Sequence, residues 1–462
     1  MTESEFQKKP TGAAEDTASP EGSRMSRKFI TGKLIPWMMK GGLAVLDYGL
    51  ISGSNFLLGI LLGRWLSPDH YGSYALAFSI FILVGFLYQA LLLEPLSVFA
   101  GSAYRNNIRG YLKATLTIHW AISAVVCVIV GGTAFVAWTF GHSPALAAAF
   151  AGLTVATPFI LIHGMTRRSF YLKLSPGPAA FGAFFYFLLV TGGVVSVYWR
   201  GWLSAFTAFL VMGLAALVSA LVMLYQLSSA LEPATAHVPL QEVWSRHWDY
   251  GRWALGTCVV GWIPNYVYIP VVSSFSGMAA AGELRALMNL AAPVLQTFAA
   301  LSMLFLPMAA RMQSEGGKAA VTKLTQRLTV LFVGGAIAYW AVIIPVRQPL
   351  FHFLYGGKYM ESTYLLPLFA LETIVWSASM GPAILLRAME SPRSLFVANC
   401  AASVLAVVVG IPATRFFGLQ GVVWSMILAN GIYVAVAFFL LTRKTATLTV
   451  PSLAVVEPML AD

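Results

Sequence analysis

The chain has 462 residues, 58% hydrophobic and only 10% charged, with a mean hydropathy of +0.75 and a formal net charge of +11. A soluble domain would carry about 25% charged residues, so the composition excludes a water-soluble globular protein and points to a chain that lives in lipid. The three cysteines, Cys127, Cys258 and Cys400, all lie in apolar runs and read as small buried hydrophobes, with no disulfide or metal framework expected.

The first 28 residues are polar and lack the apolar stretch of a signal peptide, so no cleaved leader is expected. Residues 24–40, "RMSRKFITGKLIPWMMK", mix cations with apolar side chains. They predict an amphipathic segment on the anionic lipids of the inner leaflet, closing a cytoplasmic tail over 1–40. Twelve apolar runs follow, most near the ~20 residues a helix needs to cross a bilayer. They lie at about 41–63, 73–98, 114–138, 144–164, 179–199 and 204–228, then 253–275, 285–310, 328–346, 362–385, 394–414 and 419–442. A polar connection with Pro233 and Pro239 separates the two sets at 229–252, and residues 443–462 form a tail.

Charge orients the chain. With residue 1 placed in the cytoplasm, 23 of the 29 Lys and Arg residues fall on cytoplasmic segments and six fall outside. That asymmetry follows the positive-inside rule and predicts both tails and the 229–252 linker inside. It also accounts for the net positive charge without nucleic acid, because the cations form short clusters beside the spans.

The second set of spans resembles the first. Asn55 precedes Gly72 by 17 residues and Asn265 precedes Gly282 by the same 17, and Pro95 and Pro307 close the second helix of each set. Six spans per set is an even number, so the duplication predicts parallel repeats about an axis along the membrane normal. The predicted fold is all-α: about twelve transmembrane helices in two pseudo-symmetric six-helix lobes, 41–228 and 253–442.

A cleft between lobes gives a place for polar residues. In "AGELRALMNLAAPVLQTF" (281–298), Arg285, Asn289 and Gln296 share one helical stripe. Arg285 reads either as a snorkelling cation near the span end or as a cavity cation; the two amides read as helix–helix hydrogen bonders or as lining. Asp47 reads as an interfacial cap or, with Glu94 and Glu372, as an acid that carries a proton or sodium ion. Asn55 and Asn265 stand at matching places in the two repeats. Gly49 with Gly53, and Gly59 with Gly63, predict close helix packing along the first span. Pro264, Pro270, Pro293 and Pro307 predict broken helices there, with "WIPNYVYIP" as the bending element. Trp199, Trp202, Trp262, Trp340 and Trp376 fall mostly near span ends and are expected to anchor in the interface.

Absent motifs narrow the chemistry. "SEGGKAA" lacks the spacing and hydroxyl of a phosphate-binding P-loop, no H-E-x-x-H or Cys/His cluster occurs, and the chain has only five Asp. The connections are too short for a soluble catalytic domain. No catalytic residue, cofactor or metal is expected, and transport is favoured over catalysis.

Residues 43–100 resemble the opening of the polysaccharide-biosynthesis (O-antigen, Wzx-type) flippases, in the superfamily that also holds multidrug exporters. Leu46-Asp47, "GRWLSP" with Tyr71-Gly72, and Glu94-Pro95 carry the likeness, supported by "AGELRALMNL" and "LYGGKY" (354–359). The resemblance implies a MATE-like, V-shaped pair of six-helix lobes in the bacterial inner membrane. It implies alternating access that turns a polyprenyl-diphosphate-linked oligosaccharide to the outer leaflet for O-antigen, capsule or exopolysaccharide synthesis. Glycosyltransferases and a polysaccharide polymerase would be its partners. On that reading Arg285 meets the diphosphate, Asn289 and Gln296 meet sugar hydroxyls, and Arg64, Arg252 or Arg387 contribute from the rims. The alternatives are a cation-coupled multidrug exporter of the same superfamily and a non-transporting membrane subunit of a polysaccharide synthase.

Overall fold

The computed structural model describes residues 20–446 apart from 142, 173–174 and 235, and over 20–38 and 314–317 it describes the backbone course alone. The tails expected before residue 20 and beyond 446, and Lys173 of the cytoplasmic charge count, lie outside the described residues.

Helix α1 runs Pro20–Trp65, joining the basic segment to the first crossing without a break. Helices α2 (Pro68–Gly101), α3 (Ile108–Thr139), α4 (Pro144–Tyr171), α5 (Pro176–Trp199) and α6 (Ala205–Ala230) complete the first lobe. The second holds α7 (Leu240–Tyr266, bent by 47° into Tyr268–Ser276), α8 (Met278–Gln313), α9 (Lys318–Ile343), α10 (Met360–Ala388), α11 (Pro392–Val408) and α12 (Gly410–Ala446). A short helix, Arg347–Tyr355, precedes α10. No strand occurs among the described residues. Of the predicted connection 229–252, the described non-helical residues are 231–234 and 236–239; the rest is the end of α6 and the first turns of α7.

Local chemistry sets the boundaries. Pro68, Pro144, Pro176 and Pro392 stand in first turns, where the missing N–H costs nothing. Ser67 and Asn107 cap the next backbone N–H groups, and Ser204 with Thr207 forms a reciprocal capping box. Inside α2 a π-turn at Gln89–Leu93 immediately precedes Glu94-Pro95, so the disruption a proline imposes is absorbed in a wider turn. Helices α8 and α9 fold back on each other, with the Tyr339 hydroxyl donating to the Leu290 carbonyl and Phe298 5.0 Å from Phe332.

Among the described residues, ten helices are long and apolar enough to cross a membrane, eleven with the bent α7, and α11 is the shorter twelfth apolar helix. Its crossing continues into the start of α12, because the real reversal is at Gly418, whose φ of 54° and ψ of −135° break the helix. A side chain there would be strained.

The apolar core is divided unevenly. One cluster crosses both lobes, joining Leu62, Tyr71, Tyr74 and Phe209 to Leu284, Leu287, Tyr355 and Phe369. Toward the 231–239 connection the core splits. Leu92, Leu96, Tyr111 and Leu161 belong to the first lobe, and Phe298, Leu324, Phe332 and Leu385 to the second. The lobes therefore share one core at one end, here called the far end, and have separate cores at the other, the linker end.

Two sequence expectations change. Trp199 and Trp202 are exposed as anchors should be, but Trp262 and Trp340 are buried. The Trp262 indole donates to the Ser79 carbonyl at 2.9 Å, tying α7 to α2. Gly59 and Gly63 are tightly packed, whereas a Cβ at Gly49 or Gly53 would meet nothing within 4 Å.

Candidate functional site: the seam between the lobes

Four helices make the seam, and their contacts have the reciprocity a twofold demands. A Cβ at Gly72 would fall 1.7 Å from the Met278 carbonyl oxygen, and one at Gly282 would fall 2.9 Å from the Pro68 carbonyl oxygen. Met278 lies 210 residues after Pro68, and Gly282 lies 210 after Gly72. Thus the glycines that mark the repeat in sequence are the place where α2 and α8 cross backbone to backbone. Helix α1 runs antiparallel along α8, with Tyr48 at Gln296 and Gly59 at Asn289. Helix α7 likewise runs antiparallel along α2, with Gly251 at Ala90, Cys258 at Phe86 and Trp262 at Ser79.

The polar stripe of α8 lies on this seam. Arg285 is half-buried, its guanidinium 4.8 Å from the Phe78 ring centre and facing the Tyr71 hydroxyl. Its Nε is buried without a hydrogen-bond partner, and among the described residues no carboxylate lies within 4 Å. A cation resting on an aromatic face gains about 0.5–2 kcal/mol but remains unneutralised. Asn289 is 3% exposed and donates to the Tyr71 hydroxyl at 2.8 Å. Gln296, toward the linker end, accepts from Tyr48 at 2.9 Å. The stripe therefore meets α1 and α2 across the lobes at every step.

Other candidates lie apart from it. Arg64 is at the far end, donating to the Phe353 carbonyl, and beside it Lys358 donates to the carbonyls of Arg64 (2.8 Å) and Leu66 (2.6 Å). Lys358 thereby caps α1, a favoured place for a cation, and its burial lowers the ammonium pKa. The matching asparagines are not brought together. Asn55 is half-buried, and Asn265 is exposed and donates to the Gly261 carbonyl of its own helix.

The three acids differ sharply. Asp47 is 3% exposed and gripped by Arg167, Nη2 to Oδ2 at 2.7 Å and Nε to Oδ1 at 2.9 Å, with the Tyr171 hydroxyl donating at 2.7 Å. This bidentate pair neutralises an acid that has no cation near it on its own helix. Glu94 is half-buried and accepts from Gln89 at 3.3 Å. Glu372 is buried in the second lobe, accepting from Asn430 (2.7 Å) and Thr373 (3.2 Å), with no Lys or Arg within 4 Å among the described residues. Sequence reasoning missed Arg167, Tyr171, Tyr71 and Asn430, the partners that give these residues their character.

No family model matches the chain and no curated protein matches it. Solved structures do. An inward-facing multidrug resistance MATE family transporter of the MOP superfamily aligns with a TM-score of 0.68 at 13% identity, over 86% of this chain and 94% of that one. The lipid II flippase MurJ, in an inward closed conformation, aligns with a TM-score of 0.69 at 12% identity, over 87% of each chain. A MOP superfamily transporter from Pyrococcus furiosus, described as having a binding pocket of reversed polarity, aligns with a TM-score of 0.63 at 12% identity, over 88% of this chain and 94% of that one. The fold is thus the one these solved membrane transporters share.

Proposed function

We propose that this chain flips a polyprenyl-diphosphate-linked oligosaccharide across the bacterial inner membrane by alternating access, feeding surface-polysaccharide synthesis by glycosyltransferases and a polymerase. The observation that carries the reading is Arg285, a seam cation with no counter-ion among the described residues. An unneutralised cation in a membrane protein is costly and suits an anionic head; the planar fork of arginine fits phosphate oxygens two at a time. Gln296 offers its amide to sugar hydroxyls as the lobes part, and Asn289 holds Tyr71 against the cation. The alignment with a lipid II flippase favours a lipid-linked substrate.

In this reading the linker end faces the cytoplasm, as the 23-to-6 charge split requires, and the structure is open inward. A cysteine placed at Gly53 in a cysteine-free chain should then react with a membrane-impermeant maleimide in inverted vesicles and not in intact cells. The opposite pattern would reverse the orientation.

A cation-coupled exporter is the second reading, favoured by Glu372, which is buried beside an amide instead of a cation. Surface-polysaccharide export at matched protein abundance separates the two. Arg285→Lys should keep part of the export, Arg285→Ala should lose most, and Arg285→Glu all. Normal export by Arg285→Ala would end the flippase reading. Glu372→Gln tests coupling in the same assay, and it should abolish gradient dependence where Asp47→Asn, whose acid is already paired, and Glu94→Gln do not.

A further inference from the structure

A second cation stands at the opposite end of α2 from Arg285. Arg168, at the end of α4, donates from Nε to the Ser97 hydroxyl at 2.7 Å, and Ser97 donates in turn to the Leu93 carbonyl of the π-turn at 2.9 Å. The chain of bonds fixes the plane of the guanidinium through one nitrogen and leaves its outer pair unengaged. Around it is a pocket of about 290 Å³ lined by Ser97, Gly101, Arg168, Tyr171 and Leu172. Nothing lies within 4 Å of where a Gly101 Cβ would be.

Among the described residues, the charges nearby leave Arg168 as the cation without a counter-ion at this pocket. Arg167 is spent on Asp47, and the Tyr171 hydroxyl is spent on the same carboxylate. Glu94, one turn up α2 from Ser97, is held by Gln89 and makes no ion pair with Arg168. Ser97 is 19 residues beyond Phe78 on α2, about 28 Å along a helix, so this pocket and Arg285 are distinct places.

We propose that this pocket is a binding site for the phosphate of a lipid headgroup at the linker end of the first lobe. A fork pre-oriented by its Nε loses little freedom on gripping two phosphate oxygens. The half-buried Tyr171 ring and Leu172 offer apolar surface to the glycerol or isoprenoid stem below the phosphate. Ser97 is a positioning residue for the guanidinium.

The test is native mass spectrometry of the full chain released from nanodiscs containing phosphatidylglycerol or undecaprenyl diphosphate, with phosphatidylcholine as the zwitterionic control. Arg168→Ala should reduce anionic-lipid adducts at least fivefold, Arg168→Lys less, and Ser97→Ala about twofold, while phosphatidylcholine adducts and the melting temperature hold. Arg285→Ala is the parallel arm and should leave the phosphatidylglycerol adducts unchanged. Loss confined to undecaprenyl diphosphate would assign the site to that lipid, and loss confined to phosphatidylglycerol would assign it to bulk lipid; both uphold the site. Wild-type adducts in Arg168→Ala with both anionic lipids would overturn it, whatever Arg285→Ala does to export.

Discussion

The two ends of the seam are built from similar residues and behave in opposite ways. At the far end Gly59 lies under Asn289, Gly63 under Tyr355 and Tyr71, and Gly72 under the Met278 backbone. Lys358 and Arg64 add bonds across the lobes, while Tyr355 donates to the Ala286 carbonyl and Ser362 to Glu283 within the second. At the linker end a Cβ at Gly41, Gly42, Gly49 or Gly53 on α1, or at Gly256 or Gly261 on α7, would meet nothing within 4 Å. There α1 and α8 are bridged by the Tyr48–Gln296 bond, and α7 stays with the first lobe through His247, which contacts the Leu91 carbonyl and Tyr111. Glycine in a membrane helix thus permits close approach without enforcing it. One set of glycines is packed against a neighbouring helix while the other has no atom within reach, the asymmetry that the proposed alternating access would exchange.

The sharpest way to break the far end is Gly72→Ala. A Cβ 1.7 Å from a backbone oxygen cannot be relieved by a side-chain rotation, so the two helices must separate. The cost falls at or above the top of the usual 1–3 kcal/mol for overpacking. A clear drop in melting temperature in detergent is expected, with cross-linking between cysteines on α2 and α8 lost. Gly85→Ala, in open space on the same helix, is the control and should melt like the parent. Equal melting of the two variants would mean that the crossing does not hold the lobes together.

Much of this architecture is legible in the sequence, for a physical reason. Lipid offers no partners to backbone groups, so the crossings are apolar and helical, broken only where protein covers the break, and twelve apolar runs can be read directly. The 17-residue spacing from asparagine to glycine also survives, because a backbone crossing on a twofold tolerates only glycine. What cannot be read is the partner of each polar side chain. Asp47 and Arg167 are 120 residues apart, and nothing in either stretch announces their pairing. Asn289 reads as cavity lining until Tyr71 is seen against it. Trp262 and Trp340 sit where anchors belong, yet neighbouring helices cover them. Such facts depend on which helices are adjacent, and apolar periodicity carries little of that in a helix surrounded by lipid and protein alike. The glycines fail differently: Gly49–Gly53 and Gly59–Gly63 are the same pattern, and only the conformation tells them apart.

That last point yields the prediction with the smallest effect on stability. Gly53→Leu places a large side chain in a gap where no atom waits for it. Leucine is also the better helix former by somewhat less than 1 kcal/mol, so the melting temperature should hold or rise slightly. On the proposed alternating access, transport should nonetheless fail, because the linker end would have to close as the far end opens, with α1 approaching its neighbour there as closely as Gly59 approaches Asn289 now. A leucine would wedge the lobes apart in the state described here. The population shift reads out directly as spin-label distances. Between labels on the linker ends of α1 and α8, Gly53→Leu should keep only the long distance, while the parent also shows a shorter one when substrate lipid is present. If Gly53→Leu transports at the parental rate, the open glycines are bystanders and the gap must close on other residues. If it instead unfolds, those glycines were packed after all, and the contrast between the two ends would not survive.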